Sequence, residues 1–232
     1  MTTMIAIEQL AKTFTLHLRG GVALRVLEAF SMQVDTGECV VLRAPSGSGK
    51  STVLRSVAGN YRIGGGRVLV RHDGDMVDLA SASPRIVMEI RRNTIGYVSQ
   101  FLRAIPRVSA LDIVAEPLIA RGVSPDEARD RAGAMLGRLH IAPKMWDLPP
   151  ATFSGGEQQR VNIARVLVVD YPILLLDEPT ASLDDANRAL VLGLVREARE
   201  RGAAILAILH DEASRAAVAT RYVDLAPLEV AA

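Results

Sequence analysis

The chain has one cysteine in 232 residues, Cys39, so it forms no disulfide within itself. Glu38-Cys39-Val40-Val41-Leu42 is a short apolar run of the kind that makes a buried strand, and nothing basic or helical is placed to lower the thiol's pKa. Cys39 is therefore expected in the core as a small apolar residue. Long hydrophobic runs are also lacking. The longest, including 171–176 and 203–209, fall far short of the ~20 residues that span a bilayer, which predicts no transmembrane helix. Met1-Thr2-Thr3-Met4-Ile5 offers neither a charged leader nor a long apolar segment, so no signal peptide is expected and a cytoplasmic protein is. Charge of one sign is lacking too: the formal net charge is +1, which gives no general attraction to nucleic acid or anionic lipid. No nucleic-acid partner is expected. Internal repeats, low-complexity segments and flexible linkers are not seen, so residues 1–232 are read as a single domain.

With 49% hydrophobic and 23% charged residues, the composition is that of an ordinary globular domain with a sizeable core. Runs rich in Val, Ile and Leu recur at 39–43, 95–98, 173–176 and 204–209, separated by helix-like segments. Near-continuous apolar strands alternating with helices indicate a parallel sheet covered on both faces. Amphipathic spacing from about 109 to 140 contains no strand, and a helical sub-lobe is expected over about 103–160. Ser124-Pro125-Asp126-Glu127 starts its second helix, with Ser as N-cap and Pro at the first helical position. Ile5-Ala6-Ile7 and Val68-Leu69-Val70 suggest antiparallel strands beside the main sheet. The expected class is α/β: a P-loop core with a mainly parallel sheet, an antiparallel β part and a helical part.

Ala44-Pro45-Ser46-Gly47-Ser48-Gly49-Lys50-Ser51 follows the strand at 39–43 and opens a helix, the context that makes a P-loop match credible. Gly47 and Gly49 let backbone amides converge on phosphate oxygens at a helix N-terminus. Lys50 reaches the outer phosphates, Ser51 offers an oxygen to Mg²⁺, and Thr52 completes the set. A Gly/Ser-rich capping turn would not need lysine followed by a hydroxyl. ATP or GTP binding follows. Ala44 stands where the standard pattern has glycine, and is expected in a right-handed or extended conformation that leaves binding intact.

The strand at 173–176 delivers Asp177 and Glu178 at its end, where ligands of open parallel sheets gather. Asp177 suits Mg²⁺ held through water, and Glu178 suits orienting or deprotonating an attacking water. Gln100, ending Thr94-Ile95-Gly96-Tyr97-Val98-Ser99, adds a second side-chain oxygen for the cation or water. His210 ends the strand at 204–209 and is placed for a terminal phosphate. His17, His72 and His140 show no partner pattern and read as surface or core residues, so no metal site beyond nucleotide-bound Mg²⁺ is expected.

Ser154-Gly155-Gly156-Glu157 has the form of a capping box. Two consecutive glycines weaken a helix start unless another group must approach the backbone closely, and an anion at this helix N-terminus would satisfy them. Here the chain resembles the ATP-binding-cassette ATPases, over nearly its whole length. The resemblance implies a RecA-like core. It makes 44–51 the first Walker motif, Gln100 the Q-loop, Ser154 to Gln158 the signature that contacts the γ-phosphate in a partner's P-loop, and Asp177 and Glu178 the second Walker motif. It makes Ser182-Leu183-Asp184 the D-loop, His210 the switch histidine, and Phe14 the aromatic that stacks on adenine. ATP with Mg²⁺ and a homodimer, or a heterodimer with a related cassette, are implied.

Several strings are similar to a narrower group, the accessory ATPase subunit of the bacterial carbon–phosphorus lyase system for phosphonate use. They are Gln100-Phe101-Leu102-Arg103-Ala104-Ile105-Pro106-Arg107-Val108-Ser109-Ala110-Leu111, Thr152-Phe153, Val161-Asn162-Ile163-Ala164-Arg165 and Val169-Asp170-Tyr171-Pro172. That resemblance implies a soluble lyase core complex as partner and support for coupling phosphonate to the ribose of ATP. The alternative partner is a membrane permease, docked near Arg103 and Arg107.

Overall fold

The structure is a computed structural model that describes residues 2–16, 21–100 and 106–226. Two sheets organise it. The first is antiparallel, in the order β2-β1-β4-β5, from β1 (Thr3–Leu16), β2 (Val22–Asp35), β4 (Gly65–His72) and β5 (Asp75–Asp78). The second is parallel, in the order β6-β7-β8-β3-β9, from β3 (Cys39–Arg43), β6 (Ile95–Val98), β7 (Ile173–Asp177), β8 (Ala204–Ile208) and β9 (Arg221–Asp224). The two N-terminal segments picked out by alternation pair directly, Ile5 opposite Val70 and Ile7 opposite Val68.

The four apolar runs form β3, β6, β7 and β8, and their side chains serve two cores by turns. Cys39, Val41, Leu174, Leu176, Ile205 and Ala207 face one cluster. Val40, Leu42, Leu175, Leu206 and Ile208 face the other, shared with the antiparallel sheet and α1 (Lys50–Val57). A strand buried on both faces needs apolar residues at every position, which explains why these runs do not alternate. Burial pushes the Cys39 thiol up to about 12, so this lone cysteine is inert.

The helical part contributes α3 (Ala110–Ile119), α4 (Pro125–Arg138) and α5 (Gly155–Leu167), which pack on the first cluster. Serine caps start all three: Ser109 accepts from the Asp112 amide, Ser124 from Glu127 and Ser154 from Glu157. Three further helices, α2 (Pro84–Asn93), α6 (Asp185–Glu200) and α7 (Glu212–Val218), complete the set. Among the described residues, no helix is long and apolar enough to cross a membrane.

Candidate nucleotide site

The loop between β3 and α1 places a helix N-terminus at the carboxyl end of a central parallel strand. The helix is capped by Gly49 at φ 95°, with no side-chain acceptor on its first amides, so those amides stay available to an anion. A Cβ on Gly49 would stand 2.9 Å from Val26 Cγ1, so the position requires glycine for space as well as for conformation. Ala44 has no positive φ, as expected, and its methyl costs no backbone strain. Lys50 Nζ donates to the carbonyls of Ala44 and Pro45 at 2.8 Å each, folding the charge over its own loop. The Ser48 hydroxyl donates to Pro45 O at 2.7 Å, while Ser46 and Gly47 are exposed and Thr52 is half-buried.

Strand ends supply the rest. Asp177 is only 1% exposed, and its carboxylate accepts one hydrogen bond from Ser51 Oγ (2.9 Å) and one from Tyr97 Oη (3.1 Å). Burial, then the Asp177 charge, push the Tyr97 phenol up to about 12, so it stays a donor. Glu178 follows at φ 53°, an uncommon conformation for a non-glycine residue, with its amide bonded to Ile208 O at 3.1 Å. Its carboxylate accepts from Gln100 Nε2 at 3.1 Å and lies 2.6 Å from His210 Nε2. The structure thus gathers Ser51, Gln100, Asp177, Glu178 and His210 from β6, β7, β8 and α1. Ser51 Oγ and the Asp177 carboxylate meet at 2.9 Å and offer only oxygens, the donors that suit Mg²⁺.

Residues 154–157 make a separate set of contacts. Ser154 and Glu157 close a complete capping box, the Ser154 amide donating to Glu157 Oε2 at 2.9 Å. The Ser154 hydroxyl, then its amide, hold the Glu157 carboxyl below its ordinary value. A Cβ on Gly156 would meet Ser182 O at 3.1 Å, whereas one on Gly155 would meet nothing within 4 Å. Asp184 caps α6 and accepts from the Asn187 backbone and side chain, which lower its pKa in that order. No hydrogen bond or ion pair among the described residues joins residues 154–157 to residues 44–52.

Phe14 lies in β1 with its ring edge-on to Tyr61, centroids 5.3 Å apart, and Lys12 Nζ sits 4.7 Å from the Phe14 centroid. Arg107 is exposed with φ 68°, and Arg103 and His17 lie outside the described residues. Three positioning residues escaped the sequence reading. Tyr97 reaches Asp177; Gln159 Nε2 donates to Ser99 O (3.4 Å) and Pro179 O (3.3 Å); Asn162 Nδ2 donates to Ser99 O at 2.7 Å. The last two tie α5 to the ends of β6 and β7. Only the apolar spacing around Gln159 and Asn162 hinted that these polar residues lie on a buried face.

A sequence profile of the ABC transporter family matches residues 27–181. The lipoprotein-releasing system ATP-binding protein LolD of Hyphomonas neptunium is 37% identical over 211 residues, 90% of this chain and 88% of that protein. The macrolide export ATP-binding/permease protein MacB of Brucella melitensis is 36% identical over 207 residues, 89% of this chain but only 31% of that protein. A bacterial ABC transporter cassette solved as a dimer superposes with a TM-score of 0.87 at 30% identity, over 98% of this chain and 97% of that one. A dimeric cassette in a post-hydrolysis state, bound to ADP and Pi, gives a TM-score of 0.86 at 30% identity, over 96% of this chain and 94% of that one. These relatives lend no support to the narrower resemblance to the carbon–phosphorus lyase subunit. With the profile covering residues 27–181 and LolD 37% identical over 90% of the chain's length, this chain belongs to the ABC transporter family and is an ATP-binding cassette ATPase.

Proposed function

We propose that the chain hydrolyses ATP as a dimer, each nucleotide held between the P-loop of one protomer and residues 154–157 of its partner. The observation that carries this is the separation of the two motifs within one chain. The α5 N-terminus presents Ser154 and Gly155 to solvent, and no hydrogen bond or ion pair among the described residues ties it to residues 44–52. Helix N-termini attract anions, and the open space beside Gly155 leaves room there for the phosphate of a nucleotide held by a second chain.

Within each site, Lys50 leaves the Ala44 and Pro45 carbonyls for the outer phosphates, and the amides of 47–51 cradle the phosphate chain. Ser51, Gln100 and Asp177 would hold Mg²⁺, which would neutralise phosphate charge when bound. Glu178 takes the proton of the attacking water, with Gln100 and His210 fixing its carboxylate at the distances found. His210 also meets the terminal phosphate at the end of β8. Phe14, with Tyr61 beside it, packs on the adenine; Asp184 lies near the dimer seam beside the signature segment.

Mixing two dead variants tests the shared site. Lys50→Ala kills the P-loop half and Ser154→Arg the signature half, so a mixed dimer keeps one intact site of two. Random pairing makes half of the dimers mixed, and roughly a quarter of the wild-type ATPase rate should return. No recovery on mixing, with both variants folded and dimerising, would refute the shared site.

The relatives named above favour a membrane permease as the partner that hydrolysis drives. A groove of about 1480 Å³ beside the end of β6, lined by Arg91, Arg92, Arg121, Arg165 and Glu116, is a surface that suits an acidic helix of such a partner. A second reading, a soluble carbon–phosphorus lyase complex supporting phosphonate coupling to the ribose of ATP, rests on the strings at 100–111, 152–153, 161–165 and 169–172. Affinity purification from cells grown on a phosphonate separates the two. Integral-membrane permeases without lyase subunits support the first, and lyase subunits without permeases support the second.

A further inference from the structure

His72, which shows no partner pattern in the sequence, lies beside two carboxylates. His72 ends β4, Asp73 opens the tight turn into β5, and Glu89 lies on α2 across from them. One ligand atom from each of the three lies within 4.8 Å of the others. His72 is 8% exposed, and its Nδ1 is 2.7 Å from the hydroxyl of buried Thr94. Its Nε2 faces Asp73 Oδ2 at 3.4 Å. The Asp73-Gly74 turn, with φ of 50° and 95°, is the two-residue kind that closes a hairpin, and it fixes where Asp73 stands.

Among the described residues, no arginine or lysine forms an ion pair with Asp73 or Glu89, although Arg85 and Arg92 share α2 with Glu89. Two carboxylates therefore stand beside one imidazole without a basic partner in an ion pair. The contact of Nδ1 with the Thr94 hydroxyl fixes the ring, and Nε2 lies on the side of Asp73. An outer partner that sets tautomer and ring orientation is the usual support of a metal-binding histidine.

We propose that His72, Asp73 and Glu89 bind a divalent transition-metal ion, with zinc the class that fits best and water in the fourth place. One imidazole and two carboxylates suit zinc at ~2.0–2.2 Å, and the nitrogen sets this trio apart from the oxygen donors at Ser51 and Asp177. The ion would pin the β4–β5 hairpin to α2, joining the antiparallel sheet to the helix that leads into β6. It needs no nucleotide.

Cobalt(II), a spectroscopic stand-in for zinc, provides the test on the full chain without nucleotide. One equivalent should produce visible d–d absorption that zinc displaces, and zinc should raise the melting temperature. Glu89→Gln and Asp73→Asn should each weaken binding at least tenfold and abolish the thermal shift, with circular dichroism unchanged. Asp177→Asn should leave binding intact. No absorption at ten equivalents overturns the proposal. Absorption that survives Glu89→Gln, or that disappears in Asp177→Asn, overturns it as well.

Discussion

Tyr97→Phe removes one oxygen from the protein and leaves the ring in place, taking the phenol away from Asp177 and from Arg55, which also hydrogen-bonds it. That carboxylate is 1% exposed and takes one donor on each oxygen, Ser51 at 2.9 Å and Tyr97 at 3.1 Å. A hydrogen bond to a charged group contributes about 1.5–3 kcal/mol, and losing it leaves a buried carboxylate oxygen without its donor. Each kcal/mol shifts the melting temperature of a domain of this size by about 2–4 °C, so the variant should melt roughly 3–12 °C lower without nucleotide. Magnesium and ATP add a new partner for the carboxylate, so the deficit should shrink when both are present. Differential scanning calorimetry with and without Mg²⁺ and ATP reads both quantities. A nucleotide-free melting temperature within ~1 °C of wild type, or a deficit that grows with Mg²⁺ and ATP, would refute the reasoning.

The glycines of the signature segment divide by role. Gly155→Ala adds a methyl in open space, so monomer stability should hold while the ATPase rate falls at least tenfold from the clash with a partner's nucleotide; an unchanged rate would count against the shared site. The capping box carries a pH signature. The Glu157 carboxyl is lowered from its ordinary 4.5, so the box is whole above that value and opens as pH falls through the lowered one. The Ser154 and Glu157 amide shifts, followed by NMR, should therefore titrate with a midpoint below 4.5; a midpoint at or above it would contradict the bonds found.

The central sheet was legible because parallel strands buried on both faces leave unbroken apolar runs, and all four expected runs became β3, β6, β7 and β8. The edge strand β9 was not, since Arg221, Tyr222 and Asp224 are exposed and give no apolar run. In the same way β2 is mostly exposed over its 14 residues and carries little alternation. At the site, Gln100, Asp177, Glu178 and His210 could be read because each ends a strand of the parallel sheet. Tyr97 could not, because its partner is 80 residues away and nothing local marks a core tyrosine as bonded to an acid. Gln159 and Asn162 escaped for the same reason, as their carbonyl partners belong to other elements. His72 looked solitary because Glu89 meets it only through the packing of α2 on the hairpin.

The central claim is that Glu178 drives hydrolysis inside a two-chain site. Glu178→Gln keeps the side-chain shape, binds Mg²⁺ and ATP, and removes the base. Size-exclusion chromatography with light scattering, run beside an ATPase assay, is the direct measurement. The account predicts turnover lost and an ATP-dependent species of about twice the 24.9 kDa chain mass. A variant that stays monomeric with ATP, or that hydrolyses it at the wild-type rate, would contradict the account.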